Sequence, residues 1–567
     1  MKLFSYIIAF NAILIGAVSA QKNPLLIPDT IQGKTFKLNL QKGEHTFFKG
    51  VKTSTYGVNG NILGPTLVFK KGDSISLIVN NKLADSTTIH WHGLHVSPEN
   101  DGGPHTVIAP GTDWNPKFKV RDHAATYWYH PHLHSKTNEH VSKGLAGLII
   151  VKDDAEKALN LPRTYGIDDI PLVLQTKDFD DNKEILVHTN SDDIAMVNAT
   201  IDAEYDMPAQ IVRLRLLNGS SQRAFNIGFT NNIKFFQIAS DGGLLDKPVE
   251  LTRLLLAPGE RAEILIDLKD YENKTVELKS YSSELPNGIY GATNPGMSTM
   301  MTMTGYSPNP LNGADYTLLS INVKSAVTGA IDKIPSDLVK NTIWKESDVD
   351  VTRSLTFTPQ SMGRDQLNGK FLINNSSFNM STINYKIPFD NIEIWEIRNQ
   401  SGISHPFHIH DVQFYVLTRN GVNPAENERY RKDVVLVRPN ETIRFITKFE
   451  TFANSKVPYM YHCHLLTHED DGMMGQFVVE KSPLYVDSSP TDDFTVYPNP
   501  VNDILNFSTD DNIQSTTIYD AYGHRLSVDL TGLKKIDLSE LNNGIYLIEI
   551  RTNKSVYFKH IVVSELD

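Results

Sequence analysis

Along most of the chain, apolar and polar residues alternate in short runs bounded by Gly, Asn, Pro and Asp. DSISLIVNN (73–81), QIVRLRLLN (210–218) and NIEIWEIRN (391–399) are examples. A period of two lays one face of a strand on a core and turns the other to water, so these runs are predicted as half-buried strands. Long helical periodicity is scarce. The pattern predicts an all-β chain of sandwich-like units.

The same segments repeat. DSISLIVNN leads into TTIHWHGL (87–94), QIVRLRLLN into AFNIGFT (224–230), and NIEIWEIRN into HPFHIHDVQF (405–414). APGTDWNPKFKV (109–120), APGERAEILIDL (257–268) and RPNETIRFITKF (438–449) correspond as well. In the first and third units a further strand follows, TYWYHPHLH (126–134) and YMYHCHLLTH (459–468). Repetition on this scale implies three copies of one β domain, bounded at about 25–155, 156–335 and 336–485. A fourth segment, 493–567, has shorter strands and closer turns and reads as a small β-sandwich.

The chain has 567 residues, a length that itself suggests roughly four domains at about 150 residues each. The first twenty residues carry Lys2, an apolar run and Val18-Ser19-Ala20, the pattern of a secretory signal peptide. Nothing else approaches the roughly 18 apolar residues of a membrane span, so no stable membrane anchor is expected. The net charge is -12, with no basic block, which argues against nucleic acid as a partner.

Cys463 is the only cysteine and stands between His462 and His464. The chain has 19 histidines, and they form five His-x-His pairs: 90/92, 130/132, 132/134, 408/410 and 462/464. In a strand, residues i and i+2 share a face, so each pair aims two imidazoles at one target, as a transition metal requires. In 462–464 the two rings point one way and the thiol the other, so this tripeptide can touch two metal sites.

Laying the first unit on the third separates those sites. His90 and His92 fall on His408 and His410, and His130 and His132 on His462 and His464. His405, Cys463, His468 and Met473 fall on Thr87, Pro131, Lys136 and Leu145. His405, Cys463, His468 and Met473 therefore form a candidate His₂Cys site with a weak axial Met, an arrangement that suits an electron-transfer copper. The eight paired histidines, four from each outer unit, are enough for three more coppers. His45, His95, His105, His123, His140 and His188 read as structural, and His134, whose counterpart is Leu466, is left out of the cluster.

HWHGL, WYHPHLH, HPFHIH and HCHLLTHEDDGMMG resemble the four copper-binding motifs of three-domain multicopper oxidases. That family includes laccases, copper-efflux oxidases and bilirubin oxidases. The resemblance implies three cupredoxin-like Greek-key domains and four coppers per chain. His405, Cys463, His468 and Met473 would hold the type 1 copper, and His90 and His408 the type 2. His92, His130, His132, His410, His462 and His464 would hold the type 3 pair. It also assigns Asp101 and Glu469 to proton supply. The chain lacks the Met-rich insert of copper-efflux oxidases, carrying only Met297, Met300, Met301 and Met303, and has Ser401 where those enzymes have an acid. YPNP, NNGIY and KHIVV near the end resemble the sorting domain of type IX secretion cargo. That implies passage through the periplasm to the surface or medium, with the secretion machinery as a partner.

The expected activity is one-electron oxidation of a phenolic or metal-ion donor at an exposed edge of His468 or His405, coupled to reduction of dioxygen to water, by a monomer. The donor stays open among phenols, bilirubin-like pigments, Cu(I), Fe(II) and Mn(II). Two other readings stand beside it: a copper-binding, tolerance or assembly protein without turnover, and a copper nitrite reductase.

Overall fold

The computed structural model describes residues 22–189, 191–296, 309–361, 369–481, 495–508, 512–520, 523–526, 534–553 and 556–564. Residues 1–20, expected to be a signal peptide, and Met297, Met300, Met301 and Met303 lie outside them. The described residues fall into two compact units, one up to Glu480 and one from Lys481 onward. The chain is all-β, and no helix among the described residues is long and apolar enough to cross a membrane.

The first unit contains three pairs of sheets. In one sheet of the first pair, Thr30–Gln32, Thr66–Lys70, Gly147–Lys152, β2 (Ala125–His130) and β1 (His90–His92) lie side by side. The corresponding sheet of the third pair has Tyr385–Pro388, β7 (Met474–Glu480), β6 (Asn454–Cys463), β4 (His405–Ile409) and β5 (Val434–Val437). The middle pair holds β3 (Arg261–Asp267) in its larger sheet. Each pair encloses its own apolar core. The second compact unit has two small sheets around Val501, Leu505, Phe507, Ile518, Ile548 and Ile561.

Segment 74–81 follows the alternation, with Ile75, Leu77 and Val79 buried between more exposed neighbours. Segment 211–218 does not. Every residue in it is buried, because its polar face lies against the first sandwich rather than water. There Arg213 and Arg215 pair with Glu263 and Asp169, Arg213 reaches Glu156, and Thr126 donates to Glu263 at 2.7 Å.

Trp395 is fully buried in the third core, its indole N–H donating to Glu393 Oε2 at 3.1 Å. Trp395→Ala should destabilise this sandwich by about 3–5 kcal/mol, measured by chemical denaturation, because the cavity forms and Glu393 loses a donor.

Candidate metal centres

The two outer sandwiches align their histidine strands in the same register. His90 sits opposite His130 across β1 and β2, and His408 opposite His462 across β4 and β6. In the second pairing Cys463 lies opposite Phe407, so its side chain enters the apolar core of the third sandwich while its histidine neighbours leave it.

On the core side, Cys463 Sγ lies 3.5 Å from His405 Nδ1 and 3.7 Å from His468 Nδ1, and the Leu465 N–H points to the sulfur at 3.5 Å. Met473 is buried in the same core, and its backbone carbonyl accepts from the Cys463 N–H. His468 belongs to the short helix α3 (Leu466–Asp470), which follows α1 (Pro98–Asp101) and α2 (Thr137–Ser142) in the chain. Ser401 Oγ donates to Asn399 Oδ1 (2.8 Å) or Ile403 O (3.0 Å), so it accepts from His405 Nε2–H at 2.8 Å. That leaves the Nδ1 lone pair of His405 facing the sulfur. Burial pushes the Cys463 thiol up and His405 down, so a bound cation would be needed to hold a thiolate here.

The expected exposed imidazole edge is absent. His405 and His468 are 0 % and 1 % exposed, and the Phe371 ring lies 4.7 Å and 4.5 Å from them. Strand packing from a distant part of the third unit covers the rings, which their local sequence does not report.

On the other side, eight imidazoles converge. His92, His130 and His464 bring nitrogens within 4.8 Å of one another, as do His132, His410 and His462, and His90, His408 and His410. All eight are buried. A neutral imidazole has one N–H and one lone pair. His90 Nδ1 gives its proton to Asp101 O (2.9 Å), His130 to Pro131 O (2.8 Å), His408 to Asp433 O (2.8 Å), His462 to Cys463 O (3.0 Å) and His410 to Asp101 Oδ2 (2.8 Å). Each then turns an Nε2 lone pair inward. His132 Nε2 lies 3.1 Å from both His462 Nε2 and His410 Nε2; a single Nε2–H can serve only one of these lone pairs, whereas a shared cation would satisfy both. His90 Nε2 and His408 Nε2 are buried without a hydrogen-bond partner among the described residues. The donor set fits borderline-soft transition metals.

Burial and the neighbouring rings hold His92, His130, His132, His408 and His462 well below the ordinary imidazole range. The same causes bring His410 to about 4 and His464 to about 3. All seven rings are therefore neutral at neutral pH, each keeping a lone pair that could bind a metal.

Asp101 and Glu469 both border the cluster with opposite characters. Burial works to raise Asp101, but His90 and His410 outweigh it and hold the carboxyl well below its usual range. Glu469 lies 3.3 Å from His132 Nδ1 and 3.2 Å from His462 Nδ1; burial, then the charge of Asp470, raises it well above that range. His134 packs on Phe378, 5.1 Å between centroids, and joins none of these nitrogen groups.

One carboxylate escapes the sequence reading. Asp433 is fully buried, accepts from His92 Nε2 at 3.1 Å, and is gripped by Arg261 of β3. Its only local signal is a charge immediately before the apolar run VVLV of β5.

A buried Cys–His site in a β-sandwich, joined through one tripeptide to a histidine cluster between two sandwiches, defines a copper protein of the cupredoxin-like class. Family models described as multicopper oxidase match residues 39–156 and 347–483, and one described as a secretion system C-terminal sorting domain matches 495–564. The chain is 34% identical over 479 residues to the multicopper oxidase mco of Staphylococcus aureus, covering 82% of this chain and 94% of that protein. It is 31% identical over 481 residues to the cell division protein FtsP of Proteus mirabilis, covering 83% and 95%. The laccase-like multicopper oxidase CueO of Ochrobactrum sp. superposes with a TM-score of 0.70 at 32% identity, covering 80% of this chain and all of that one. The chain belongs to the multicopper oxidase family, and it ends in a secretion sorting domain.

Proposed function

We propose that this protein is an oxygen-reducing oxidase of phenolic or metal-ion donors that carries four coppers. His405, Cys463, His468 and Met473 would hold one copper. His90 and His408 would hold a second, and His92, His130, His132, His410, His462 and His464 a pair. Bound copper would supply one-electron oxidation at the first site and four-electron reduction of dioxygen to two waters at the second. The observation that carries this reading is the opposed direction of neighbouring side chains at 462–464. Cys463 Sγ faces His405 and His468, while His462 Nε2 faces His132.

The chain's own residues do the rest. Backbone carbonyls and Asp101 fix which nitrogen each ring presents, which orients the ligands before metal arrives. Close packing excludes bulk water from both sites. Glu469, whose carboxyl burial pushes well above its ordinary range, would be the group that holds a proton beside His132 and His462. Asp101 remains an acceptor for His410 Nδ1. Because both type 1 imidazoles are buried, the donor would give up its electron across their covering side chains, without touching a ring.

The three domains, 25–155, 156–335 and 336–485, would act together as one oxidase body. The segment 493–567 directs a monomer through the periplasm to the cell surface or medium by the type IX route, after removal of residues 1–20. The likeness to FtsP, a protein named for cell division, favours keeping one second reading, copper binding without turnover. Oxygen uptake by the copper-loaded protein separates them. The oxidase should consume one dioxygen per four electrons taken from a simple phenol or from Cu(I). Four bound coppers with no uptake from either donor would establish the second reading, and nitrite reduction without oxygen uptake would overturn both.

A further inference from the structure

We propose that Arg261, on the sandwich that supplies no histidine to the cluster, selects the nitrogen that His92 presents to the metal, acting through Asp433. This rests on the reading of the cluster as a copper site.

Where hydrogen bonds reveal the tautomer, the rings give Nδ1–H to the protein and present Nε2. His92 is the reverse. Its Nε2 donates to Asp433 Oδ1 at 3.1 Å, so Nδ1 is the lone-pair nitrogen, 3.2 Å from His130 Nε2. Asp433 is thus the residue that turns this ring over, and it also holds His408 of the other sandwich, through its backbone carbonyl at 2.8 Å.

Asp433 is itself held by a two-pronged contact. Arg261 Nη1 donates to Oδ1 at 2.6 Å and Nη2 to Oδ2 at 2.5 Å. The remaining guanidinium donors are also taken: Nε by Thr126 O at 3.2 Å, Nη1 further by Gly259 O at 3.0 Å, and Nη2 further by Asp241 O at 2.9 Å. Arg261 is fully buried. A planar fork with every donor engaged cannot swing, so the carboxylate it grips cannot either. Thr126 lies in β2 of the first sandwich and Asp433 precedes β5 of the third, so Arg261 joins all three sandwiches at the cluster.

One glycine leaves room for this pair, and another leaves room for the His464 ring of the cluster. Gly93 has φ +87°, and a Cβ there would meet Asp433 Oδ2 at 2.5 Å and Arg261 Nη2 at 2.6 Å. Gly259 has φ +85°, and its Cβ would touch the His464 ring at 3.0 Å. Both the backbone conformation and the close approach demand glycine. The middle sandwich therefore contributes a positioning residue to a site whose ligands all lie elsewhere.

The variants are Arg261→Lys, which keeps the charge but loses the fork, and Asp433→Asn, which keeps the shape but loses the ion pair. Far-UV circular dichroism checks folding. In full-length copper-loaded protein, each variant should keep the blue colour and the type 1 electron paramagnetic resonance signal. Each should lose at least half of the near-ultraviolet absorption of the paired coppers, and kcat should fall tenfold or more at unchanged KM for a phenol. Unchanged cluster spectra in both folded variants overturn the proposal. A second readout does not depend on copper. ¹⁵N resonances of histidine-labelled, metal-free full-length protein should show His92, identified by its loss in His92→Gln, as the Nε2–H tautomer. It should shift toward the other tautomer in Arg261→Lys. A wild-type His92 that is already Nδ1–H overturns the proposal. A wild-type protein with the Nε2–H tautomer that binds only one copper supports Arg261's role while overturning the four-copper reading.

Discussion

Cys463→Ser should yield a folded protein that is colourless yet still binds copper at the histidine cluster, with turnover of a phenol reduced by about a thousandfold or more, the scale set by removing one member of a unit that acts together. The sulfur is the soft donor of its site, between His405 Nδ1 and His468 Nδ1 at 3.5 and 3.7 Å, and a serine hydroxyl is shorter, harder and far less acidic. The substitution removes nothing from the cluster, because the side chains of His462 and His464 leave the opposite face of the backbone and keep their neighbours. Copper analysis should therefore show a loss of about one copper per chain while the resonance signal of the cluster persists. A colourless variant that still oxidises phenol at the wild-type rate would remove Cys463 from the electron path.

Copper-free protein should be markedly acid-labile. His410 is held at about 4, His464 at about 3, and His92, His130, His132, His408 and His462 well below the ordinary range, by burial and by one another. The unfolded chain titrates near 6.5. Between that value and the lower folded values the unfolded state binds more protons, so stability rises with pH and is lost on acidification. At pH 5.5 each ring that stays neutral costs about 1.4 kcal/mol. Summed over several rings, the unfolding midpoint of the metal-free protein should fall by roughly 10 °C between pH 7 and pH 5.5. Copper, bound only by the folded state, should oppose this shift. Scanning calorimetry at the two pH values, with and without Cu(II), tests both statements. A midpoint independent of pH would mean that the rings protonate in place and that the cluster is not the dry, ligand-rich site described above.

Some of this architecture is local and therefore legible in the chain. Alternation of period two identifies the strands, and the same period makes each His-x-His pair share a face and sets Cys463 against its neighbours. Repeat comparison separates Thr87, Pro131, Lys136 and Leu145 from His405, Cys463, His468 and Met473, because equivalent strands meet equivalent partners in each sandwich. The alternation fails at 211–218, where Arg213 and Arg215 face another sandwich instead of water. It is equally silent on Phe371, which covers His405 and His468 from a different strand of the third unit.

By itself the sequence determined an all-β chain, the positions of twelve candidate ligands and the two directions in which residues 462–464 point, since each follows from the geometry of one extended backbone. Only the tertiary structure decided which nitrogen each ring presents, that both imidazoles beside Cys463 are buried, and that Arg261 and Asp433 support a cluster to which they give no ligand. Those features depend on contacts between residues 172 positions apart, as in Arg261 and Asp433, and no local periodicity carries a signal over that distance.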